Sequence, residues 1–360
     1  MSNRRLHIPQ GTEAFYLEEA LAHRAVLRTF EDQCALWGYM PVQTPVLDYH
    51  EPYRGVMAEE ADASSYRLVD REGHLLSLRS DMTLFLARQM GMKLEPGDLP
   101  VRVYYGDTII RHETTHHLSK DEYFQIGAEL IGEPGIDADE EVVLMLLDLL
   151  EKLGAASVVV HIGQRALATA VAGTTTSDET VARLVAERAW HRLADELAAC
   201  GVPAARSEQL LRLFQFIGGT DALQELSASL DGLEQAEKAA VEHLVRLGTD
   251  LEQLGYGNRI RIDMSEVGSQ PYHSGVVFQG YAPSSDAPVA SGGRYDQLLR
   301  HFGFDAPSVG FSIMLRRLQS SIDSLPEKSD NDVVTATGST FVERARSAQS
   351  LRDQGKAVHL

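Results

Sequence analysis

The chain has 360 residues, enough to bury a large core and to hold two or three domains. With 33 basic against 52 acidic residues, its net charge of −19 argues against a general nucleic-acid binder, because phosphate contacts need a basic footprint. No apolar run approaches the roughly 18 residues of a membrane-spanning helix, and the basic pair Arg4-Arg5 has no apolar core behind it, so neither membrane insertion nor a secretory leader is expected.

In chain order, Leu17, Ala20, Leu21, Leu27, Phe30 and Cys34 give an apolar stripe that predicts a helix over 12–37, stopped by Gly38. Pro41 and Pro45 make the next stretch extended. Short alternating runs at 66–69, 75–78, 101–105 and 123–131 read as strands, with a helix over 82–90 among them. A second long helix over 137–153 ends at Gly154 and leads into an apolar strand at 157–162. From 164 to 255 the composition turns Ala-, Leu- and Glu-rich with helical spacing, which reads as a helical insertion. Strands return at 259–264, 275–281 and 289–290, and a last helix is expected over 312–324. Cys34 and Cys200 lie in helical stretches without metal or disulfide spacing, as suits a reducing cytoplasm. Strands that do not alternate strictly with helices, together with the absence of a GxGxxG turn, predict α+β rather than a Rossmann fold.

His112-Glu113-Thr114-Thr115-His116 matches HExxH, which on a helix would place two histidines on one face to hold zinc. Its surroundings alternate as strands, and Thr114 and Thr115 are β-branched. A strand–loop–strand turn is therefore expected there, with no metal and no cofactor.

Several separated segments resemble the class II aminoacyl-tRNA synthetase family, and within it histidyl-tRNA synthetase. The N-terminal helix followed by Gly38-Tyr-Met-Pro-Val-Gln-Thr-Pro is similar to the first class motif, which forms a dimer interface. Leu78-Arg79-Ser80-Asp81-Met82-Thr83 resembles the segment whose acidic residue receives the amino group of histidine. Tyr104 to Gly132, with Arg111, Glu113, Gln125, Gly127 and Glu129, is similar to the second motif. Ala290-Ser-Gly-Gly-Arg-Tyr-Asp and Val309 to Leu318 resemble the glycine-rich histidine segment and the third motif. The resemblance spans residues 8–322. It implies a class II synthetase-like antiparallel sheet flanked by helices, formed by 1–163 and 256–325, with 164–255 inserted. It also implies a candidate histidine pocket of Asp81, Thr83, Arg111, Gln125, Glu129, Tyr272, His273, Gly292, Gly293 and Tyr295, and a vestigial ATP pocket of Arg111, Glu113 and Arg317. Physically, a guanidinium at Arg111 suits a carboxylate or phosphate, and paired glycines admit close approach of backbone.

The pattern breaks where chemistry is most demanding. The synthetases place an arginine against the charge that develops during adenylation; here Gly268 occupies that place, with Pro271 and His273 replacing the neighbouring aspartate and tyrosine. Loss of such a cation costs orders of magnitude in rate. The acidic neighbour of the third-motif arginine has become Arg316, and the second-motif loop lacks its usual basic character. After residue 325 only a truncated remnant of an anticodon-binding domain is recognisable, at 326–360. These departures resemble a paralogous family, the regulatory subunits of ATP phosphoribosyltransferase. That resemblance implies no catalytic residues of its own, and a short-form catalytic subunit as partner. It also implies L-histidine as effector, a self-dimer through the synthetase-like core, and feedback regulation of the first step of histidine biosynthesis. The competing expectation is a histidine-activating enzyme that forms an aminoacyl adenylate without recognising an anticodon.

Overall fold

The computed structural model describes residues 8–9, 11–12, 14–115, 118–172, 177–322, 334–354 and 358–359. Helix α1 (Leu17–Leu36) buries Val26, Phe30 and Cys34, which recur at four-residue spacing along one face. Then come β1 (Met40–Pro41), β2 (Leu47–Tyr49), α2 (Glu59–Ser64), β3 (Arg67–Val69), β4 (Leu75–Leu78) and α3 (Met82–Lys93). Strands β2, β4 and β3 make a small antiparallel sheet. A long hairpin follows, β5 (Val101–Thr115) with β6 (Leu118–Ile131), and after it α4 (Ile136–Lys152) and β7 (Val159–Gln164).

After β7 come helices α5 (Arg165–Ala172), α6 (Asp178–Ala186), α7 (Trp190–Ala199) and α8 (Ala204–Phe214). A two-residue strand β8 (Ile217–Gly218), α9 (Thr220–Ser229) and α10 (Gln235–Gln253) complete that segment. The chain returns through β9 (Ile260–Asp263), β10 (Val276–Tyr281), β11 (Ala290–Arg294), α11 (Leu298–His301), β12 (Ser308–Met314) and α12 (Leu315–Gln319). Further on are β13 (Val334–Thr335), α13 (Phe341–Asp353) and β14 (Val358–His359), the two strands pairing in parallel.

The main sheet has the order β1-β5-β6-β12-β11-β10-β7-β9-β8. It is antiparallel through its middle, as expected, but mixed overall, because β1 joins β5 and β7 joins β9 in parallel. Alternation sends successive side chains to opposite faces. On β6, Ile126, Ala128 and Leu130 enter a core shared with α1, α4 and the helices between β7 and β9. On the other face, Val103, Tyr105 and Ile109 of β5 pack with Met82, Phe85 and Leu86 of α3.

Two expectations need correction. The last helix begins at Leu315, not at residue 312, because Ser308–Met314 is a strand that sends Val309, Phe311 and Ile313 into the first core and pairs with both β11 and β6. The strand expected at 289–290 extends to Arg294, its glycines being tolerated where flanking strands hold them. Among the described residues no helix is long and apolar enough to cross a membrane.

Candidate functional site

One cleft collects Asp81, Thr83, Glu129, Tyr272, His273, Gly292, Gly293 and Tyr295, eight of the ten residues read as a histidine pocket. They arrive on several elements. Asp81 is the N-cap of α3, its carboxylate accepting from Leu84 N at 2.9 Å. Thr83 sits in the first turn of that helix. Glu129 projects from β6, and Gly292 and Gly293 lie on β11 between β10 and β12. Tyr272 and His273 come from the loop that precedes β10.

Glu129 is the centre of the arrangement. Fully buried, it accepts hydroxyl hydrogen bonds from Tyr295 (2.6 Å) and Thr83 (2.9 Å), with Tyr105 at 3.3 Å. Burial dominates its titration and pushes its pKa up to about 8, helped by the charge of Asp81 and resisted by the hydroxyl donors. Room for it depends on Gly310 of β12, where a Cβ would fall 1.5 Å from Glu129 Oε2. Burial also raises the Asp81 carboxyl, against the pull of the Leu84 amide and the Arg111 guanidinium. Burial and the charge of Asp81 likewise hold the Tyr272 hydroxyl well above its ordinary range.

His273 carries no charge here: burial, with Arg165 as a lesser repulsion, pushes it down to about 3. Its Nδ1 finds no hydrogen-bond partner among the described residues. That ring stands against Gly268, whose φ of +76° lies in the left-handed region and whose missing Cβ would sit 2.3 Å from His273 Nδ1. Glycine is thus required twice at that position, by backbone and by space.

Gln125 supports the site without lining it; its Oε1 accepts from Met82 N at 3.1 Å and so fixes the start of α3. Arg111 is outside the lining as well. Its guanidinium lies over the Tyr123 ring at 5.3 Å, and Arg317 lies over the same ring at 5.8 Å. Arg317 also borders a second cleft with Phe15, His23, Phe124 and Arg316. The side chain of Glu113, and the whole of His116, lie outside the described residues. Residues 112–115 are strand, not the helix on which a zinc-binding HExxH depends. His112 instead meets Asp121 at 2.9 Å.

Other contributors were not singled out as functional from the sequence. Tyr105 could have been found by its alternation on β5 opposite Gly127. Arg294 could not: it forms a buried ion pair with Asp139 of α4 at 2.8 Å and binds the carbonyls of Glu133 and Gly135, holding β11 beside Tyr295. Arg79, 1% exposed, ties the loop bearing Asp81 to the carbonyls of Thr44 and Thr108 and to Asp107. His161, Asp263 and Glu266 also bring metal-capable atoms within 4.8 Å of one another, but Arg188 stands 3.3 Å from Asp263 and already supplies a cation.

Comparison with known proteins follows the same outline. A family profile described as histidyl-tRNA synthetase matches residues 11–318. An ATP phosphoribosyltransferase regulatory subunit from Bacillus licheniformis is 31% identical over 339 residues, covering 93% of this chain and 86% of the relative. The one from Moorella thermoacetica is 30% identical, covering 100% of this chain and 93% of the relative. Among solved structures, an ATP phosphoribosyltransferase regulatory subunit/histidyl-tRNA synthetase from Bacillus halodurans superposes with a TM-score of 0.84 at 25% identity, covering 98% of this chain and 92% of the other. A histidyl-tRNA synthetase from a Nostoc species shares the fold, with a TM-score of 0.78 at 20% identity over 98% of this chain and 85% of that one.

Proposed function

Because the chain belongs to the histidyl-tRNA synthetase-like family of ATP phosphoribosyltransferase regulatory subunits, we propose that it activates a short-form catalytic subunit of that enzyme and carries feedback inhibition by L-histidine. The observation that carries this reading is the pairing of a preserved acidic cleft with a lost catalytic cation. Asp81 and Glu129 are the acidic residues in the lining, and their carboxyl oxygens suit the ammonium of an amino acid. Gly268 stands where adenylation needs an arginine, with the His273 ring packed against it. Binding needs no transition-state charge, and a difference in affinity between two states is enough for regulation. On this reading the protein has no aminoacylation activity, works in the cytoplasm, and self-associates through α1 and β1. Leu17, Leu21, Leu36 and Met40, each more than half exposed there, support that association.

The test is the turnover of a short-form catalytic subunit from the same genome, titrated with this protein in the presence and absence of L-histidine. Faster turnover that histidine suppresses is expected. An unchanged rate together with no co-migration would sink the proposal. The alternative, formation of a histidyl adenylate, draws on Arg111 and Arg317 each lying over the Tyr123 ring; ATP–pyrophosphate exchange dependent on histidine would support it, and none is expected.

A further inference from the structure

Building on the reading of the cleft as a histidine site, we propose that Arg188 is a positioning residue for it, holding through Asp263 the loop that presents Tyr272 and His273. Arg188 lies in the turn between α6 and α7, and its backbone marks it out. Helices α1, α4, α7 and α10 each stop at a glycine of positive φ two residues past their last: Gly38, Gly154, Gly201 and Gly255. At the same place after α6 stands Arg188, with a φ of +53° and its amide donating to the Val185 carbonyl at 2.9 Å. That left-handed conformation costs a residue with a side chain free energy that glycine is spared. What offsets the cost lies at the far end of the side chain, where the guanidinium stands 3.3 Å from the fully buried carboxylate of Asp263.

Asp263 ends β9 and faces two ways. Its Oδ2 is turned away from the loop, toward Arg188 and toward His161 Nδ1 of β7 at 3.1 Å. Its Oδ1 accepts from the amide (3.0 Å) and the hydroxyl (2.6 Å) of Ser265, which fixes the turn that starts the loop. Met264 N donates to the Phe216 carbonyl at 3.0 Å, so the same turn is tied to the segment between α8 and β8. Val267 is then buried, Gly268 turns the chain, and Tyr272 and His273 follow into the cleft. Burial opposes the charge on Asp263, but His161, Ser265 and Arg188 together outweigh it and keep the carboxyl below its ordinary range. Of the groups on Oδ2, the guanidinium alone is a permanent cation. Without it a buried carboxylate loses the charge that holds its orientation, and the Ser265 turn loosens with it. The loop then spends part of its time with Tyr272 and His273 withdrawn, and apparent affinity falls by the fraction of time it is in place.

The experiment is calorimetric titration of the full chain with L-histidine for the unmodified protein, Arg188→Gly and Arg188→Lys, alongside hydrogen exchange of residues 264–275. Arg188→Gly removes the cation while relieving the left-handed backbone, so the stop of α6 is kept. It should bind histidine about five- to tenfold more weakly, with faster exchange in the loop. Arg188→Lys keeps the charge and should recover most of the lost affinity. Unchanged affinity in Arg188→Gly overturns the proposal, and so does Arg188→Lys binding as weakly as the glycine variant. If the unmodified protein binds no histidine, the reading of the cleft falls instead, and loop exchange alone decides: quickened in Arg188→Gly, it upholds the hold on the loop; unmoved, it overturns that as well.

Discussion

Replacing Glu129 by glutamine keeps the shape of a side chain that three hydroxyls surround and removes its ability to ionise. In the folded protein its pKa is raised to about 8, against about 4.3 for an unfolded chain. Below the unfolded value both states hold the proton, and nothing is lost. Between the two values the unfolded chain has released its proton while the folded one retains it, so stability falls as pH rises through that window and levels off above it. Glu129→Gln should accordingly gain on the unmodified protein by a few kcal/mol from pH 5 to pH 8, read from urea midpoints at each pH. An identical pH trend in both proteins would show that Glu129 ionises freely. Gly310→Ala tests the same contact from the other side. A methyl 1.5 Å from Glu129 Oε2 must displace the carboxylate, so histidine affinity should drop at least tenfold while thermal stability falls by about 1–3 kcal/mol. At Gly268 the neighbour is His273. Gly268→Arg places a side chain on left-handed backbone against that ring, costing about 1–2 kcal/mol for the backbone alone. It should not restore pyrophosphate exchange; appearance of exchange would show that only the cation was missing.

At the scale of elements, the cleft depends on charges buried between them. Asp139 on α4, fully buried, receives Arg294 of β11 through two guanidinium nitrogens at 2.8 and 2.9 Å, and His243 of α10 approaches it at 2.9 Å. Arg294 thereby couples the long helix, the glycine strand and the helices between β7 and β9 next to Tyr295. Arg294→Met should strand the Asp139 charge and cost about 3–5 kcal/mol in urea unfolding, because a buried pair broken on one side is worse than a pair absent altogether. Such networks also mark where reading from residues stopped. Helices α1 and α4 were legible because apolar spacing and glycine stops are local signals. Eight cleft residues were legible because they lie in short segments with a recognisable order. The start of α12 was not, since the strand Ser308–Met314 runs straight into Leu315 with no turn residue between them to mark the change. Nor was the tie between Asp139 and Arg294, which are 155 residues apart and carry no local mark of burial. Glu129 was placed in the pocket by pattern, but the upward push on its pKa follows from burial, which only the packed sheet reveals.

For the molecule as a whole, the two faces of α1 pose a physical question. Val26, Phe30 and Cys34 seal one face against the sheet, whereas Leu17 and Leu21, one turn apart, are 84% and 61% exposed on the other side. Close by in sequence, Met40 is 68% exposed on β1, an edge strand of the nine-stranded sheet. Unpaired edges and apolar helix faces are the features that a partner chain covers, and here the patch must be apolar enough to outweigh the mutual repulsion of two chains of charge −19. A second copy related by a twofold axis would bury the same patch on both chains. Leu17→Glu combined with Leu21→Glu should therefore shift sedimentation from dimer to monomer at micromolar concentration while circular dichroism stays unchanged, because neither residue belongs to the buried core. A monomer before mutation, or a dimer that survives it, would place self-association elsewhere on the surface. The doubly charged variant also separates two uses of the fold. If it still binds histidine with the affinity of the unmodified protein, the cleft is complete within one chain; if affinity falls with the dimer, the partner copy helps to hold the cleft closed.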